Sequence, residues 1–185
     1  MNIFFTSDDH FGHAKVIQYS NRPFSSVEEM DAELIRRWNE KVGPKDRVYH
    51  LGDFSFHNAK KTREIRNQLN GEICLILGNH DKIITGSLKG IFSWVKEYYE
   101  LSLDSQKVVL CHFPLLTWNK CHYGSWHLHG HCHGSLNPPA PLDKQRRMDI
   151  GVDTNPDYAP YSWDQVKSFM ETKETVSVDH HQEKA

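Results

Sequence analysis

The chain alternates between short, almost unbroken apolar runs and longer stretches with helical spacing. Ile3-Phe4-Phe5, Val48-Tyr49-His50-Leu51, Ile73-Cys74-Leu75-Ile76-Leu77 and Val108-Val109-Leu110-Cys111 are too short for core helices. Such runs predict buried strands. Between the first two, Val27, Met30, Leu34, Trp38 and Val42 recur at steps of three and four, the stripe of an amphipathic helix. Ser26 with Glu29 reads as its capping box, and Gly43-Pro44 as its end. A short helix is predicted over 14–19 and another over 58–69, its Lys60, Lys61, Arg63 and Arg66 forming a solvated face. Two strand–helix–strand passages imply right-handed crossovers and a largely parallel sheet. After Phe92 the pattern changes. Aromatics and valines alternate to Leu101, Asp104-Ser105 turns the chain, and 107–111 returns, so a hairpin and a more antiparallel second half are expected. Residues 148–153 read as a last strand and 162–171 as a closing helix capped by Ser162. The pattern predicts one domain over 1–172 and, over 173–185, a fraying polar tail containing His180 and His181.

Composition narrows the class. The 185 residues are 38% hydrophobic and 25% charged, ordinary for a globular domain, and the formal charge of -2 argues against a broad nucleic-acid-binding face. The apolar start is a strand rather than a signal peptide, and no run approaches membrane-spanning length, so a cytoplasmic location without membrane association is expected. The four cysteines have no C-x-x-C spacing and read as reduced thiols, with Cys121 and His122 in a surface loop. Histidine is the outlier at thirteen, an enrichment that points to metal or acid–base chemistry.

That chemistry gathers where strands end. Strand one runs into Asp8 and His10, which alternation would put on one face, with Asp9 as a turn residue on the other and His13 starting the helix. The second ends in Gly52-Asp53. The third ends in Gly78-Asn79-His80-Asp81, where glycine would allow a sharp turn through positive φ. His112 follows the fourth. His131 and His133 stand between Gly130 and Gly134, beyond His127 and His129; those two belong to the strand, and His129 is a candidate for a hydrogen bond to a ligand. Aspartate, imidazole and one amide oxygen suit manganese, iron or zinc. Asp8, His10, Asp53, Asn79, His112, His131 and His133 are too many donors for one tetrahedral ion. They suit two ions sharing a carboxylate, roughly 3.5–4 Å apart, which would draw a phosphate and acidify a bridging water.

The series Asp8-x-His10, Gly52-Asp53, Gly78-Asn79-His80-Asp81, His112 and Gly130-His131-x-His133 resembles the calcineurin-like metallophosphoesterase superfamily, with five blocks in family order. The resemblance is to its small single-domain bacterial and phage members. It implies an α/β fold, a four-layered α/β/β/α sandwich with mixed sheets. It implies one metal on Asp8, His10, Asp53 and His133, and a second on Asp53, Asn79, His112 and His131, with Asp53 bridging. It gives His80 the role of meeting the phosphate and protonating the leaving oxygen. The chain departs from protein phosphatases after the second block: Phe54-Ser55-Phe56-His57-Asn58 offers no arginine to clamp a dianion. Arg22, in a Pro-containing loop, is the candidate anion clamp, and His57 and Asn58 are candidate contacts. The implied function is a dinuclear, metal-dependent phosphodiesterase acting on a nucleotide-type, nucleic-acid-end or small-molecule ester through a metal-bridging hydroxide. Manganese is the first choice of metal, with iron, zinc, nickel and magnesium as alternatives. A phosphomonoesterase and a non-catalytic metal-binding scaffold are the competing readings. A structural zinc module over 121–133 lacks the paired spacing. The sequence does not indicate an oligomeric state.

Overall fold

The computed structural model describes residues 1–179, so His180, His181 and the end of the expected tail lie outside the described residues. Among the described residues, nine strands make two sheets. The first joins β1 (Ile3–Thr6), β2 (Arg47–His50), β3 (Glu72–Ile76), β4 (Trp94–Lys96) and β9 (Tyr161–Ser162) in the order β4-β3-β2-β1-β9. All its pairings are parallel except β1 with β9. The second joins β5 (Tyr98–Leu103), β6 (Gln106–Cys111), β7 (Trp126–His129) and β8 (Arg147–Asp149) in chain order. Here only the β5–β6 hairpin is antiparallel; β6–β7 and β7–β8 are parallel. The expectation of an antiparallel second half therefore holds for the hairpin alone. The alternating run from Phe92 to Leu101 is also not one strand, because it breaks at Glu97 and serves both sheets. Residues 148–153 likewise stop being a strand after Asp149.

Helices α1 (Ala14–Tyr19), α2 (Val27–Lys41) and α3 (Ala59–Gln68) cover the outer face of the first sheet. Strand alternation builds the two cores. Phe4, Val48, Ile73 and Leu75 face Met30, Leu34, Trp38 and Ile65 of the helices. Their neighbours Phe5, Tyr49, Cys74 and Ile76 face Val108, Leu110, Trp126 and Leu128 of the second sheet. A first sheet buried on both faces is why its strands read as unbroken apolar runs. Val166 and Met170 of α4 (Trp163–Glu171) join the inter-sheet core, and the outer face of β6 is covered by Trp118 and Cys121. Cys121 is thus buried, not a surface residue.

Local signals mostly place the ends. Ser26 accepts from the Glu29 N–H, but the Glu29 carboxylate takes the Ser25 N–H (2.7 Å), so the reciprocal half of that capping box is absent. Asn58 caps α3, and Ser162 with Gln165 forms a complete capping box on α4. The tail does not fray at its start. The Glu174 N–H donates to Lys144 O at 2.8 Å, and Gln145 Nε2 donates to Val176 O at 3.3 Å.

Candidate metal centre

The C-terminal ends of β1, β2, β3, β6 and β7 converge, and the loops leaving them carry every predicted ligand. Pleat alternation is not what aims them. Asp8 (φ 60), His10 (φ 53), Asp53 (φ 57), His131 (φ 69) and His133 (φ 48) all occupy the left-handed region. Non-glycine residues rarely do so, and such strain concentrates at functional sites. Asp8 and His10 do come together, with Asp8 Oδ1 3.8 Å from His10 Nε2, but through a twisted loop. The glycines divide the work differently from expectation. Positive φ belongs to Gly52 (φ 98), whereas Gly78 is needed for proximity: a Cβ there would stand 2.2 Å from Asp53 Oδ1.

Two groups result. Asp8, His10 and His133 put ligand atoms within 4.8 Å of one another, and so do Asp53, His112 and His131. Asp53 Oδ2 lies between them, 3.7 Å from His10 Nε2 and 3.6 Å from His112 Nε2. Asn79 Oδ1 stands 3.0 Å from both His112 Nε2 and His131 Nδ1.

The donor set fits divalent cations. Asp8 Oδ1 is buried without a hydrogen-bond partner. His112 donates its Nδ1–H to Leu51 O (2.7 Å), which leaves the Nε2 lone pair pointing at the Asn79 oxygen. His133 places Nδ1 2.6 Å from Asp153 Oδ2, so its Nε2 lone pair faces His10 Nε2 at 3.2 Å. An acceptor facing an acceptor, as His112 Nε2 faces Asn79 Oδ1, is compatible with a cation between them, and bonds at the far ring nitrogen, as in His112 and His133, are how ligand tautomers are fixed. Electrostatics agree. Burial, with Asp149 and Asp53 nearby, pushes Asp8 well above the ordinary carboxylate range. Burial, then His133, pushes His10 down to about 2, and burial also lowers His112. His10 and His112 are therefore held neutral, with lone pairs available to a cation, and Asp8 is a buried carboxylate that a cation would stabilise as an anion.

Residues 1–139 match the family model of the calcineurin-like phosphoesterase superfamily domain. The chain belongs to the calcineurin-like phosphoesterase superfamily. The family is metal-dependent, in keeping with the two His/Asp groups. Among relatives, the chain is 37% identical over 177 residues to the uncharacterized protein MJ1445 of Methanocaldococcus jannaschii, covering 94% of each chain. It is 26% identical over 211 residues to the gene 66 protein of Mycobacterium phage L5, covering 98% of this chain and 97% of the phage protein. Among solved structures, a protein of unknown function from Aquifex aeolicus superposes with a TM-score of 0.73 at 24% identity, over 91% of this chain and 98% of that one. A structure described as a novel archaeal phosphodiesterase gives a TM-score of 0.50 at 17% identity, over 82% and 83%. These two likenesses concern the fold.

Within this phosphoesterase fold, five residues have roles other than those expected from the sequence. Arg22 is not an anion clamp. Its guanidinium is buried and spends all its donors: Nε on Asp153 Oδ1 (2.7 Å), Nη2 on Asp153 Oδ2 (2.8 Å) and Asp8 O (2.6 Å), Nη1 on Asp9 O (2.8 Å) and Met30 Sδ (3.4 Å). Asp9 is not a turn residue at the surface; it is buried and accepts from His50 Nε2 at 2.8 Å. His57 pairs with Asp31 (2.7 Å), and Asn58 is spent on its helix. His129 bonds the Gly130 carbonyl (2.9 Å) rather than a ligand side chain. His80 sits at the edge of the centre. Its side chain is 46% exposed, with Nε2 4.0 Å from Asp53 Oδ2, and its N–H donates to Asp53 Oδ1 at 2.9 Å.

Sequence reasoning missed the carboxylates that hold the loops. Asp81 accepts from the N–H groups of Asp53 (2.8 Å), Phe54 (2.9 Å) and Gly78 (2.8 Å), locking the β2 and β3 loops together. Asp153 joins His133 to Arg22. Burial opposes ionisation of Asp153, but hydrogen bonds from His133 and Arg22 outweigh it and hold its pKa below the ordinary value. The only sequence signal for Asp81 was its place beside Asn79 and His80; Asp153 had none.

Proposed function

We propose that this chain is a two-metal phosphodiesterase, with manganese as its first metal. The observation that carries the reading is Asp53 Oδ2, which faces both groups of imidazole and carboxylate donors, 3.7 Å from His10 Nε2 and 3.6 Å from His112 Nε2. Asp8, His10, Asp53 and His133 would hold one ion, and Asp53, Asn79, His112 and His131 the other. Such a pair supplies Lewis-acid charge to phosphoryl oxygens and acidifies a water at neutral pH. His80 is half exposed beside this centre and fixed through its backbone to Asp53, so its imidazole can hydrogen-bond an ester oxygen and pass it a proton as the P–O bond breaks. A monoester dianion would call for a cationic clamp, and the arginine expected to provide one is buried in a bond to Asp153. A singly charged diester makes no such demand.

The test is hydrolysis of bis(4-nitrophenyl) phosphate and 4-nitrophenyl phosphate by metal-free protein reloaded with manganese, zinc, iron, nickel or magnesium. The reading expects manganese-dependent turnover favouring the diester. A monoester preference overturns the substrate class, and absence of turnover with every metal overturns the activity.

A further inference from the structure

The segment leaving β2, Phe54-Ser55-Phe56-His57-Asn58, carries two phenylalanines with different fates. Phe54 is fully buried in the core under the helices, whereas Phe56 belongs to no apolar core and is 39% exposed. Its ring is spent on histidines instead. It stacks on His13, with centroids 4.1 Å and planes 12° apart, and packs at a tilt on His80 (4.7 Å, 39°) and His10 (5.2 Å, 38°).

The scaffold holds this ring in place from both sides along the chain. The Phe56 N–H donates to Phe11 O at 2.8 Å, which pairs the β2 loop with the β1 loop. Before it, Ser55 Oγ lies 3.0 Å from Thr62 Oγ1 of α3. After it, His57 Nε2 lies 2.7 Å from Asp31 Oδ2 of α2. The His57 ring also sits on Gly12, where a Cβ would stand 2.6 Å from it.

His80 is the opposite case. Its backbone N–H is tied to Asp53 Oδ1, but among the described residues no hydrogen bond reaches its imidazole. Asp53 Oδ2 stands 4.0 Å from Nε2, beyond hydrogen-bond range. What fixes the ring's torsions is packing, and that packing is Phe56 first and His10, edge-on at 5.9 Å, second. The separation from Phe56 is within the usual range of aromatic pairs. A phenyl face also does what a polar partner could not. A hydrogen bond would occupy one ring nitrogen, whereas packing on the face leaves both nitrogens free in the plane of the ring.

We infer that Phe56 is the positioning residue for His80, an inference that rests on the phosphodiesterase reading. It holds the imidazole beside Asp53 so that a ring nitrogen meets the leaving oxygen, and it touches no reacting atom itself. A misplacement of about 1 Å can cost about 10²-fold in rate, so the loss of this one contact is measurable.

The experiment compares single-turnover hydrolysis of methyl phenyl phosphate and methyl 4-nitrophenyl phosphate by the manganese-loaded protein. Both leaving groups are single rings, but phenolate is the poorer one and needs the proton more. Phe56→Ala should slow the phenyl ester about tenfold more than the nitrophenyl ester, and Phe56→Tyr, which keeps the ring, should not. In a His80→Ala background, Phe56→Ala should cost less than about twofold further on either ester. No loss, or equal losses on both esters, overturns the inference. So does a loss that survives in the His80→Ala background, the mark of a direct contact with substrate. NMR of the metal-free protein gives a readout independent of turnover. Cross-relaxation between the His80 and His10 ring protons is expected in the wild type and Phe56→Tyr and lost in Phe56→Ala. Its absence in the wild type, or its persistence in Phe56→Ala, overturns the inference. Should neither ester be hydrolysed with any metal, the phosphodiesterase reading fails, and the NMR result decides the packing separately.

Discussion

Replacing Arg22 by alanine separates the two roles considered for it. As a clamp on substrate, Arg22 would be dispensable to the fold. As the structure has it, five N–H donors satisfy the Asp153 carboxylate, the carbonyls of Asp8 and Asp9, and Met30 sulfur, with the side chain 0% exposed. Breaking a buried ion pair by removing one partner costs about 3–5 kcal/mol, because the other charge stays buried. The two stranded carbonyls add to this, at about 1–3 kcal/mol each if no water reaches them. Against a total stability of about 5–15 kcal/mol, the substitution should leave a marginal fold. With a urea slope of about 2 kcal/mol per molar, the unfolding midpoint of the metal-free protein should fall by about 2 M or more.

Asp153→Asn is the gentler partner experiment. It keeps the shape but removes the charge, and an asparagine amide can donate to His133 Nδ1, turning the ring to the tautomer without a free Nε2 lone pair. Loss of such a supporting contact typically costs 10–100-fold in metal affinity. Calorimetric titration with manganese should show one binding event weakened by about that factor and the other, around His112 and His131, little changed. The reasoning is refuted if Arg22→Ala unfolds at the wild-type midpoint and instead raises KM. It is equally refuted if Asp153→Asn leaves both binding events intact.

Three further outcomes follow from the same geometry. Asp53→Asn should fold, since Asp53 lies outside both apolar cores, but bind metal weakly or at one site and lose nearly all turnover; two tightly bound ions would remove Asp53 from the bridge. His80→Ala should depress single-turnover hydrolysis of an alkyl-leaving ester by about 10²–10⁴-fold more than that of a nitrophenyl ester, because only the poor leaving group needs the proton; equal losses would make His80 a positioning residue. His127, far from water, is pushed down to about 3 by burial and then by His129, so the folded state holds it neutral. A depressed folded pKa gives stability that is complete above the unfolded value near 6.5 and is lost as pH falls toward the folded one. Between pH 7 and pH 5 that loss is about 2 kcal/mol, to be read as the excess urea sensitivity of wild type over His127→Gln; no difference between them across that range would refute it.

The sequence singled out the donors that the structure brings together and missed their supports, for a physical reason. A candidate ligand is recognisable from its own chemistry: Asp8, His10, Asp53, Asn79, His112, His131 and His133 each offer the right kind of atom next to a glycine or a strand end. A carboxylate that holds a loop looks like any solvated carboxylate until its partner is known. Asp153 finds Arg22 across 131 residues and His133 across 20, so no window of the sequence contains the relation. The same limit governed topology. The β5–β6 hairpin was legible because Asp104-Ser105 is local, while the parallel pairings of β6 with β7 and β7 with β8 join distant strands and were not. At Glu97, one alternating pattern serves two sheets, since alternation reports burial and is silent about which sheet does the burying.

The ligand loops show how such supports make a usable site from strained backbone. Asp8 and Asp53 each divide their oxygens between the fold and the candidate centre. Asp8 gives Oδ2 to the His131 N–H (2.9 Å), which ties the β1 loop to the β7 loop, and leaves Oδ1 without a partner. Asp53 gives Oδ1 to the His80 N–H (2.9 Å), tying the β2 loop to the β3 loop, and turns Oδ2 toward the imidazoles of His10, His112 and His80. Left-handed residues cost of order 1–3 kcal/mol each and persist only where surroundings over-determine them. Asp81 with its three N–H donors and Arg22 with its two backbone carbonyls supply that over-determination without using any atom that faces the candidate centre. The strain at Asp8, His10, Asp53, His131 and His133 is therefore held by contacts within the protein itself.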